Sequence, residues 1–375
     1  MIYLDSAATT LQKPAGVHRS VQLAMRQAAS PGRGGHPWGQ EAARLAYSCR
    51  EAAASLFHVP DPEQVVFTFN ATHGLNLAIR SLVRPGMRVL ISGYEHNAVT
   101  RPLHAISDLE VRVAESPLFD WEGLLTAFQK ELCRGVDVAI CTHVSNVFGY
   151  ILPIQEISQL CRKAGVPLIL DASQSAGSLP LNMEELGADF IAMPGHKGLY
   201  GPQGTGLLLC GKKGLPLLYG GTGSQSLRQE MPEDLPDRLE AGTPNIPGIA
   251  GLREGLRFVE RIGPDRIAAR EQRLIRQLGE GLRRQGRSCV YLSRFPERQA
   301  GVLSFCRDGQ DCEEVGQWLG EQGVAVRAGL HCAPQAHRSA GTLETGTIRA
   351  SVSWFNTPEE ICHTLRLLAG YPERK

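Results

Sequence analysis

Between residues 65 and 210 the sequence alternates short apolar runs with amphipathic helical patterns. Helical patterns lie at 73–83, 96–105, 121–132 and 155–164. The apolar runs are short and rich in Val, Ile, Leu and Phe, which is typical of strands, and they cover 65–69, 89–92, 110–113, 136–140, 167–170, 189–192 and 206–210. This alternation predicts an α/β fold with a mostly parallel seven-stranded sheet that helices cover on both faces.

A Gly- and Pro-rich segment at 220–247 separates this pattern from a different one. After it come predicted helices at 248–262, 264–285, 311–321 and from Pro358, and predicted short strands at 289–292, 301–305, 324–327 and 347–353. We therefore predict a large domain over 15–247, and a small α+β domain made of 1–14 and 248–375. The Arg-rich pattern at 264–285 is interpreted as the solvated face of a helix.

Composition excludes several function classes. The 375 residues include 39 basic and 38 acidic side chains without a long basic run, so neither nucleic acid nor an anionic membrane is expected as a partner. The start has no signal-peptide pattern and no apolar stretch approaches about 18 residues, which favours a soluble cytoplasmic protein. Ten scattered cysteines form no Cys-x-x-Cys pair, so we expect no metal site and no disulfide framework.

An acidic residue and a lysine follow two of the predicted strands. Asp171 ends the run at 167–170, and Lys197 comes shortly after the run at 189–192. Because ligands of parallel α/β sheets bind beyond the carboxyl ends of the strands, the two side chains are expected to meet there. Pyridoxal phosphate (PLP) requires a lysine amine for its Schiff base and a carboxylate for its ring nitrogen. The pair therefore predicts a PLP site, although either residue alone would more often be solvated.

Other polar residues follow neighbouring strands. The segment Asn70–Gly74 opens a predicted helix, and Thr72 could hold a phosphate there or simply cap the helix. His96 could stack on a cofactor ring and relay protons, since imidazole titrates near neutrality. Asn146 and Gln174 carry amides within reach of the same region, but such residues are common in loops.

Two residues near the C-terminus complete the candidate site. Cys332 lies beside His331 and near Arg327, at the root of a Gly/Ala/Ser/Thr-rich stretch that runs to Gly346 and is expected to be flexible. A polar, accessible setting of this kind favours a reactive thiol. Arg349 interrupts a strand-like run, and a buried guanidinium there would need an anion such as a substrate carboxylate.

Taken together, these motifs resemble the cysteine desulfurase and selenocysteine lyase family, which belongs to the class V aminotransferase group of fold-type I PLP enzymes. The motifs occur in family order and are Tyr3-Leu-Asp-Ser-Ala-Ala-Thr-Thr10, Glu95-His96-Asn-Ala, Asp171-Ala-Ser-Gln174, Gly195-His-Lys197, Glu240-Ala-Gly-Thr-Pro-Asn245, Arg327-x-Gly-x-His-Cys332-Ala and Arg349-Ala-Ser-x-x-x-Phe-Asn-Thr357. The sequence around Cys332 is similar to that of the family branch with a short catalytic loop.

The resemblance implies a role for each matching residue. Lys197 would form the Schiff base, Asp171 would pair with the pyridine nitrogen, Gln174 would contact the phenolic oxygen and His96 would stack on the ring. Phosphate contacts are implied for Thr72 and His196, and His73 is a further cofactor-binding candidate. Thr243 would reach the phosphate of a neighbouring subunit in a homodimer. Asn146 and Arg349 would hold the substrate carboxylate, and Cys332 would accept sulfur.

Three positions depart from the family pattern. Pro194 stands where many relatives have Ser, which removes a hydroxyl and an N–H from the phosphate region. His73 stands where relatives often have Glu, and Leu330 replaces a common His two places before the cysteine. These departures leave the preferred substrate and the sulfur acceptor open.

The resemblance implies a reaction in which L-cysteine becomes L-alanine and its sulfur becomes a persulfide on Cys332, for transfer to a protein acceptor. Three alternatives stay open at this point. A selenocysteine lyase would use L-selenocysteine, and a class V aminotransferase would not need Cys332. A non-enzymatic sulfur carrier would need Cys332 but not Lys197.

Overall fold

The computed structural model describes residues 1–31 and 35–372. The strands in chain order are β1 Ile2–Tyr3, β2 Val65–Thr68, β3 Arg88–Ser92, β4 Glu110–Ala114, β5 Val138–Thr142, β6 Leu168–Asp171, β7 Phe190–Pro194, β8 Gly206–Cys210, β9 Ser288–Tyr291, β10 Val302–Arg307, β11 Val324–Ala325, β12 Arg327–Gly329 and β13 Thr347–Ser351. The helices are α1 Ala15–Gln27, α2 Pro37–Phe57, α3 Ala71–Leu82, α4 Asn97–His104, α5 Trp121–Cys133, α6 Ile154–Ala164, α7 Met183–Leu186, α8 Ile246–Ile262, α9 Pro264–Gln285, α10 Cys312–Glu321, α11 Pro334–Ala340 and α12 Pro358–Ala369. Within these ranges, no helix combines the length and the apolar character needed to cross a membrane.

Seven strands form the central sheet, in the order β2-β8-β7-β6-β5-β3-β4. The pairs from β7 to β4 are parallel, and β8 runs antiparallel to both of its neighbours. The predicted α/β class and mostly parallel seven-stranded sheet are therefore confirmed. Both faces of the sheet pack into apolar cores, because residues of β5 and β6 alternate between one buried cluster and another.

The parallel strands bring the candidate side chains to one edge. In the register of the sheet, Thr142 at the end of β5 pairs with Asp171 at the end of β6, which in turn pairs with Ala192 of β7. Lys197 follows three residues after β7 ends at Pro194. The carboxyl ends of three neighbouring strands therefore converge, which is where open α/β sheets bind ligands.

Two N-terminal helices, α1 and α2, were not predicted from the sequence. The buried face of α2 contains Ala42, Leu45, Cys49, Ala53 and Phe57, which recur at helical spacing. Because Ala and Cys supply much of that face, the apolar pattern is weaker than in helices built on larger side chains. Both helices pack against α8.

A second, four-stranded sheet has the order β12-β13-β10-β9, with all pairs antiparallel. Its apolar core includes residues of α9, α10 and α12 together with Leu4 from the N-terminal segment. The N-terminus is also tied to this part of the chain through the parallel pairing of β1 with β11. The observed elements have the α+β character expected after residue 247.

Two details of the sequence prediction were wrong. The run at 324–327, expected as one strand, forms the short strands β11 and β12 in different sheets. The stretch after Cys332 was expected to be flexible, but it contains helix α11, which begins with Pro334 in its first turn and ends at Gly341 in a left-handed conformation. These are ordinary helix start and stop signals.

The proposed division into domains of 15–247 and 1–14 with 248–375 remains a prediction. Its boundary falls within α8, which begins at Ile246. The buried side chains Ile249, Leu252 and Leu256 of this helix belong to the core on one face of the seven-stranded sheet. The contacts of α8 therefore associate it with the larger sheet.

Candidate active site

A cavity lined mainly by polar residues, the main cavity of the site, lies at the carboxyl edge of the seven-stranded sheet. It brings together seven of the predicted site residues, namely Thr72, His96, Asn146, Asp171, Gln174, His196 and Lys197. Pro194, one of the departures from the family pattern, also lines it. Residues that are up to 125 positions apart in sequence thus share one site, because each follows a strand of the same sheet.

Lys197 and Asp171 provide the cavity with an amine and a carboxylate. Asp171 is 2% exposed, and its Oδ1 accepts a hydrogen bond from the backbone N–H of Ser173 at 2.9 Å. Burial lowers the pKa of Lys197 to about 8, an effect that the charge of Asp171 opposes. A substantial fraction of this amine is therefore neutral, and hence nucleophilic, near pH 8.

His96 caps helix α4 at the cavity wall. Its Nδ1 accepts a hydrogen bond from the backbone N–H of Ala98 at 3.0 Å, so the neutral ring carries its proton on Nε2. Burial lowers the pKa of His96 to about 4. The ring is therefore neutral at physiological pH, and we infer that it can stack on a planar ligand and share its Nε2 proton.

The N-terminus of helix α3 forms another wall. Asn70 caps this helix by accepting a hydrogen bond from the backbone N–H of His73 at 2.9 Å, while Ala71 and Thr72 line the cavity. The positive end of the helix dipole therefore faces the cavity, which favours an anion. His196 lines the same cavity, and its Nδ1 is buried without a hydrogen-bond partner among the described residues.

Gln174 links the cavity to the N-terminal segment. Its Nε2 donates a hydrogen bond to the carbonyl oxygen of Ala7 at 3.0 Å. A primary amide has a second N–H, which leaves a donor for a ligand in the cavity.

Asn146 connects Arg349 with the segment that carries Cys332. The backbone carbonyl oxygen of Asn146 accepts a hydrogen bond from Nη1 of Arg349 at 3.0 Å. The side-chain Nδ2 of Asn146 donates to the backbone carbonyl oxygen of His331 at 2.8 Å. Asn146 Oδ1 and Arg349 Nε are buried without partners in the described part of the chain. This acceptor and this donor are therefore available to a ligand that binds beside them.

Cys332 lies at an exposed position beside this site. Its carbonyl oxygen accepts a hydrogen bond from the backbone N–H of Asn97, the first residue of α4, at 2.8 Å. Both His331 and Cys332 have left-handed backbone conformations, with φ of 50° and 55°. Residues other than Gly, Asn, Asp and His rarely adopt this conformation, so the backbone at Cys332 is strained and is held by its neighbours.

Four predicted residues do not line this cavity. Arg349 and the turn with Cys332 are connected to it through Asn146, whereas His73 and Thr243 are not. His73 and Thr243 line a different cavity of about 540 Å³, next to Phe69 and the Gly-rich segment around Gly242. The His73 ring stacks on Phe69 with the ring centroids 4.7 Å apart, and burial lowers its pKa. The structure therefore does not bring His73 to the other cofactor-binding candidates, although its backbone N–H belongs to the α3 N-terminus.

Two acidic residues at the site were not singled out from the sequence. Glu95 is fully buried and accepts hydrogen bonds from the Ser92 hydroxyl and from the Thr142 backbone N–H, so that it connects the ends of β3 and β5. Asp5 accepts a hydrogen bond from Nη2 of Arg349 at 2.7 Å. Both lie within motifs quoted above, but only their burial and pairing reveal their position at the site.

Comparisons with known proteins agree with this geometry. The family model "Aminotransferase class-V" matches residues 2–363. A probable cysteine desulfurase of Xylella fastidiosa (strain Temecula1) is 34% identical, over 96% of this chain and 88% of that protein. One of Mycolicibacterium paratuberculosis is 33% identical over the whole chain, which spans 56% of that longer protein. The apo structure of a cysteine desulfurase from Thermococcus onnurineus NA1 superimposes with a TM-score of 0.90 at 31% identity, covering 98% of this chain and 94% of that one. The chain therefore belongs to the aminotransferase class-V family and, within it, to the cysteine desulfurases.

Proposed function

We propose that this protein is a PLP-dependent cysteine desulfurase that converts L-cysteine to L-alanine and takes the sulfur onto Cys332 as a persulfide. One observation carries the proposal. Asn146 contacts both Arg349 and the peptide that precedes Cys332, and it lines the same cavity as Lys197 and Asp171. Asn146 therefore links the cavity that contains the amine with a guanidinium that can bind an anion and with the turn that carries an accessible thiol.

The residues of the cavity suit PLP. Lys197 offers an amine of lowered pKa, Asp171 a buried carboxylate for the ring nitrogen, His96 a neutral ring for stacking, and Gln174 an amide N–H for the phenolic oxygen. The α3 N-terminus with Thr72 and the unpartnered Nδ1 of His196 suit the phosphate. When bound, PLP supplies an electron sink that acidifies the Cα–H bond of an amino acid.

Arg349 and Asn146 would hold the substrate carboxylate. The Arg349 side chain is 2% exposed, so its guanidinium has little access to water. A carboxylate on the guanidinium and on the buried Asn146 amide would fix the amino acid with its Cα near the Lys197 amine. We infer that this amine, in its neutral form, removes the Cα proton.

Cys332 would remove the sulfur. Its thiolate attacks the substrate sulfur, an S–S bond forms, the C–S bond breaks, and the electrons of that bond return to the substrate carbon. Protonation of that carbon gives the methyl group of L-alanine, and return of a proton from the Lys197 ammonium to Cα completes the product. The sulfur stays on Cys332 as a persulfide. Because Cys332 is exposed on a short turn, the persulfide is accessible to an acceptor.

The exposed positions of Cys332 and Thr243 and the free cysteines also suggest a sulfur acceptor, an oligomeric state and a location for the enzyme. An exposed persulfide suits delivery to a protein sulfur acceptor. We propose a homodimer in which Thr243 reaches the phosphate bound by the other subunit, since Thr243 is exposed in the single chain and lies outside the main cavity. We further propose a cytoplasmic location, where the ten free cysteines would stay reduced.

Two related activities are tested by the same assay. L-selenocysteine differs from L-cysteine in one atom, and a selenocysteine lyase would release L-alanine from it with less dependence on Cys332. A class V aminotransferase would release a keto acid instead.

The test incubates the purified, PLP-loaded protein with L-cysteine or L-selenocysteine, measures alanine, and locates sulfur on the protein by peptide mass spectrometry. The proposal predicts alanine from L-cysteine and one added sulfur atom on Cys332. Alanine from L-selenocysteine alone would favour the lyase, and keto acid without alanine would favour the aminotransferase.

A further inference from the structure

The buried guanidinium of Arg349 already has an anion from the chain itself. Its Nη2 donates to Oδ1 of Asp5 at 2.7 Å, its Nη1 donates to the carbonyl oxygen of Asn146, and its Nε lacks an acceptor among the described residues. Asp5 therefore makes a contact through one nitrogen of the guanidinium rather than a two-pronged one.

That single contact uses the nitrogen that a substrate needs. A guanidinium presents two forks to a carboxylate, one formed by Nη1 and Nη2 and the other by Nε and Nη2. Both forks include Nη2. Because Nη2 has two N–H groups, a substrate carboxylate on either fork would lie beside the carboxylate of Asp5. The two negative charges would then repel each other until Asp5 moves away.

A second arginine is placed to receive Asp5. Nε of Arg327 lies 3.5 Å from Oδ2 of Asp5, the oxygen that Arg349 does not use. Arg327 on β12 and Arg349 on β13 are direct partners in the antiparallel register, and like charges in such positions repel each other unless an anion lies between them. Two guanidinium groups therefore share one carboxylate, and one further carboxylate would balance the charge.

The backbone of Asp5 is fixed, so the exchange requires only side-chain rotation. Asp5 forms a bridge with Ser351, and its carbonyl oxygen accepts hydrogen bonds from the backbone N–H of Ala8 at 3.0 Å and from the Tyr3 hydroxyl at 3.2 Å. The carboxylate is 15% exposed and the Arg327 side chain is 51% exposed, so Arg327 can adjust its position from the solvent side.

We propose that Asp5 is a specificity-determining residue that occupies Arg349 before substrate binds and passes to Arg327 when a substrate carboxylate takes its place. This inference rests on the proposed function, because it assigns Arg349 to the substrate carboxylate. Before substrate binds, Asp5 keeps the guanidinium of Arg349 oriented. Because one carboxylate replaces another, Asp5 limits the site to substrates that have a single carboxylate. The competition also sets how tightly any monocarboxylate binds.

The first experiment measures propionate binding to the PLP-loaded protein by isothermal titration calorimetry, with propionamide as the uncharged comparison. Asp5→Asn should bind propionate about tenfold more tightly than the wild type, since no neighbouring carboxylate repels the propionate. Propionamide binding should stay unchanged. Glu280→Gln, which removes a carboxylate from the Arg276–Glu280 pair on α9, should match the wild type. Unchanged or weaker propionate binding by Asp5→Asn would overturn the proposal, because it would mean that Asp5 only orients Arg349.

The second experiment tests the transfer to Arg327. Arg327→Gln should weaken propionate binding at least about threefold more in the wild type than in Asp5→Asn, because only the wild type needs a second cation to hold the displaced carboxylate. Equal effects in the two backgrounds would remove Arg327 from the exchange. Both experiments read binding rather than turnover, so failure of the desulfurase assay would leave their outcome interpretable.

Discussion

The Lys197–Asp171 cavity and the Cys332 turn differ in almost every physical property. Lys197 and Asp171 follow strands of a seven-stranded sheet whose two faces are packed in apolar cores. Cys332 is exposed, lies on a left-handed turn beside the edge strand β12, and is held by a few backbone and amide contacts. One region is buried and rigid, and the other is exposed and strained.

The difference matches two demands of the proposed chemistry. Proton removal at Cα requires groups of perturbed pKa in fixed positions, and burial on a sheet provides both. Sulfur transfer requires a thiol that first meets the substrate and then an acceptor, which a buried residue could not do. If this division is correct, changes in the two regions should affect different steps.

The largest effect is expected from Lys197→Ala. Lys197 is the only amine that lines the main cavity among the described residues. Its removal should reduce alanine release by more than about 10³-fold, because both cofactor attachment and Cα deprotonation depend on it. Lys212→Ala, a lysine paired with Asp189 at the opposite end of the sheet, serves as the control and should leave the rate unchanged. Normal alanine release by Lys197→Ala would refute the proposed role of the buried region.

Cys332→Ala should abolish sulfur transfer while leaving the buried region intact. The variant should take up PLP as the wild type does, measured by its visible absorbance, but yield no persulfide and little alanine from L-cysteine. Turnover of L-selenocysteine should survive in part, because selenium leaves with less help from a nucleophile. Cys362→Ala, another exposed cysteine, is the matched control. Persulfide formation at the normal rate without Cys332 would contradict the comparison.

Arg349→Lys should weaken L-cysteine binding by about 2–3 kcal/mol, because a point ammonium cannot replace a planar two-pronged contact. This corresponds to an increase of roughly 30- to 150-fold in the apparent dissociation constant. Arg338→Lys on α11 is the control, because this exposed guanidinium contacts only the nearby Gln335 side chain in the described contacts. An unchanged affinity would show that Arg349 has only a structural role.

The sequence was most informative where local patterns set the structure. Apolar runs identified the seven strands, and the positions of Asp171 and Lys197 just after two of them predicted that the two would meet. Helix α11 was missed although Pro334 and Gly341 mark its ends, because its small residues suggested flexibility.

Tertiary pairing accounts for what the sequence could not predict. Asp5 and Arg349 are 344 residues apart, and no local pattern links them. The burial of Glu95 depends on strands β3 and β5 packing side by side, and the stacking of His73 on Phe69 depends on how α3 leaves the sheet. In each case the side chain's neighbours come from distant parts of the chain.

Glu95→Gln should have the smallest effect on activity. It also tests whether the buried region is rigid. Burial raises the pKa of Glu95 from 4.5 to about 8, so the native carboxyl is protonated at pH 7, and a glutamine can keep the hydrogen bonds from Ser92 and Thr142. Between pH 4.5 and 8 the native wild type binds more protons at this site than its unfolded chain, so its stability relative to the variant should fall as pH rises through that window. Above pH 8 the difference should become constant. The total change is on the order of several kcal/mol, since one pKa unit is worth about 1.4 kcal/mol.

Thermal or urea unfolding of both proteins at intervals from pH 5 to pH 9 measures this difference. Glu184→Gln, an exposed glutamate on α7, should follow the wild type across the whole range. If the Glu95→Gln and wild-type stabilities instead run parallel from pH 5 to pH 9, the carboxyl is not held in its protonated form. Water would then reach the end of β3. At this position the buried region would no longer differ from the exposed Cys332 turn.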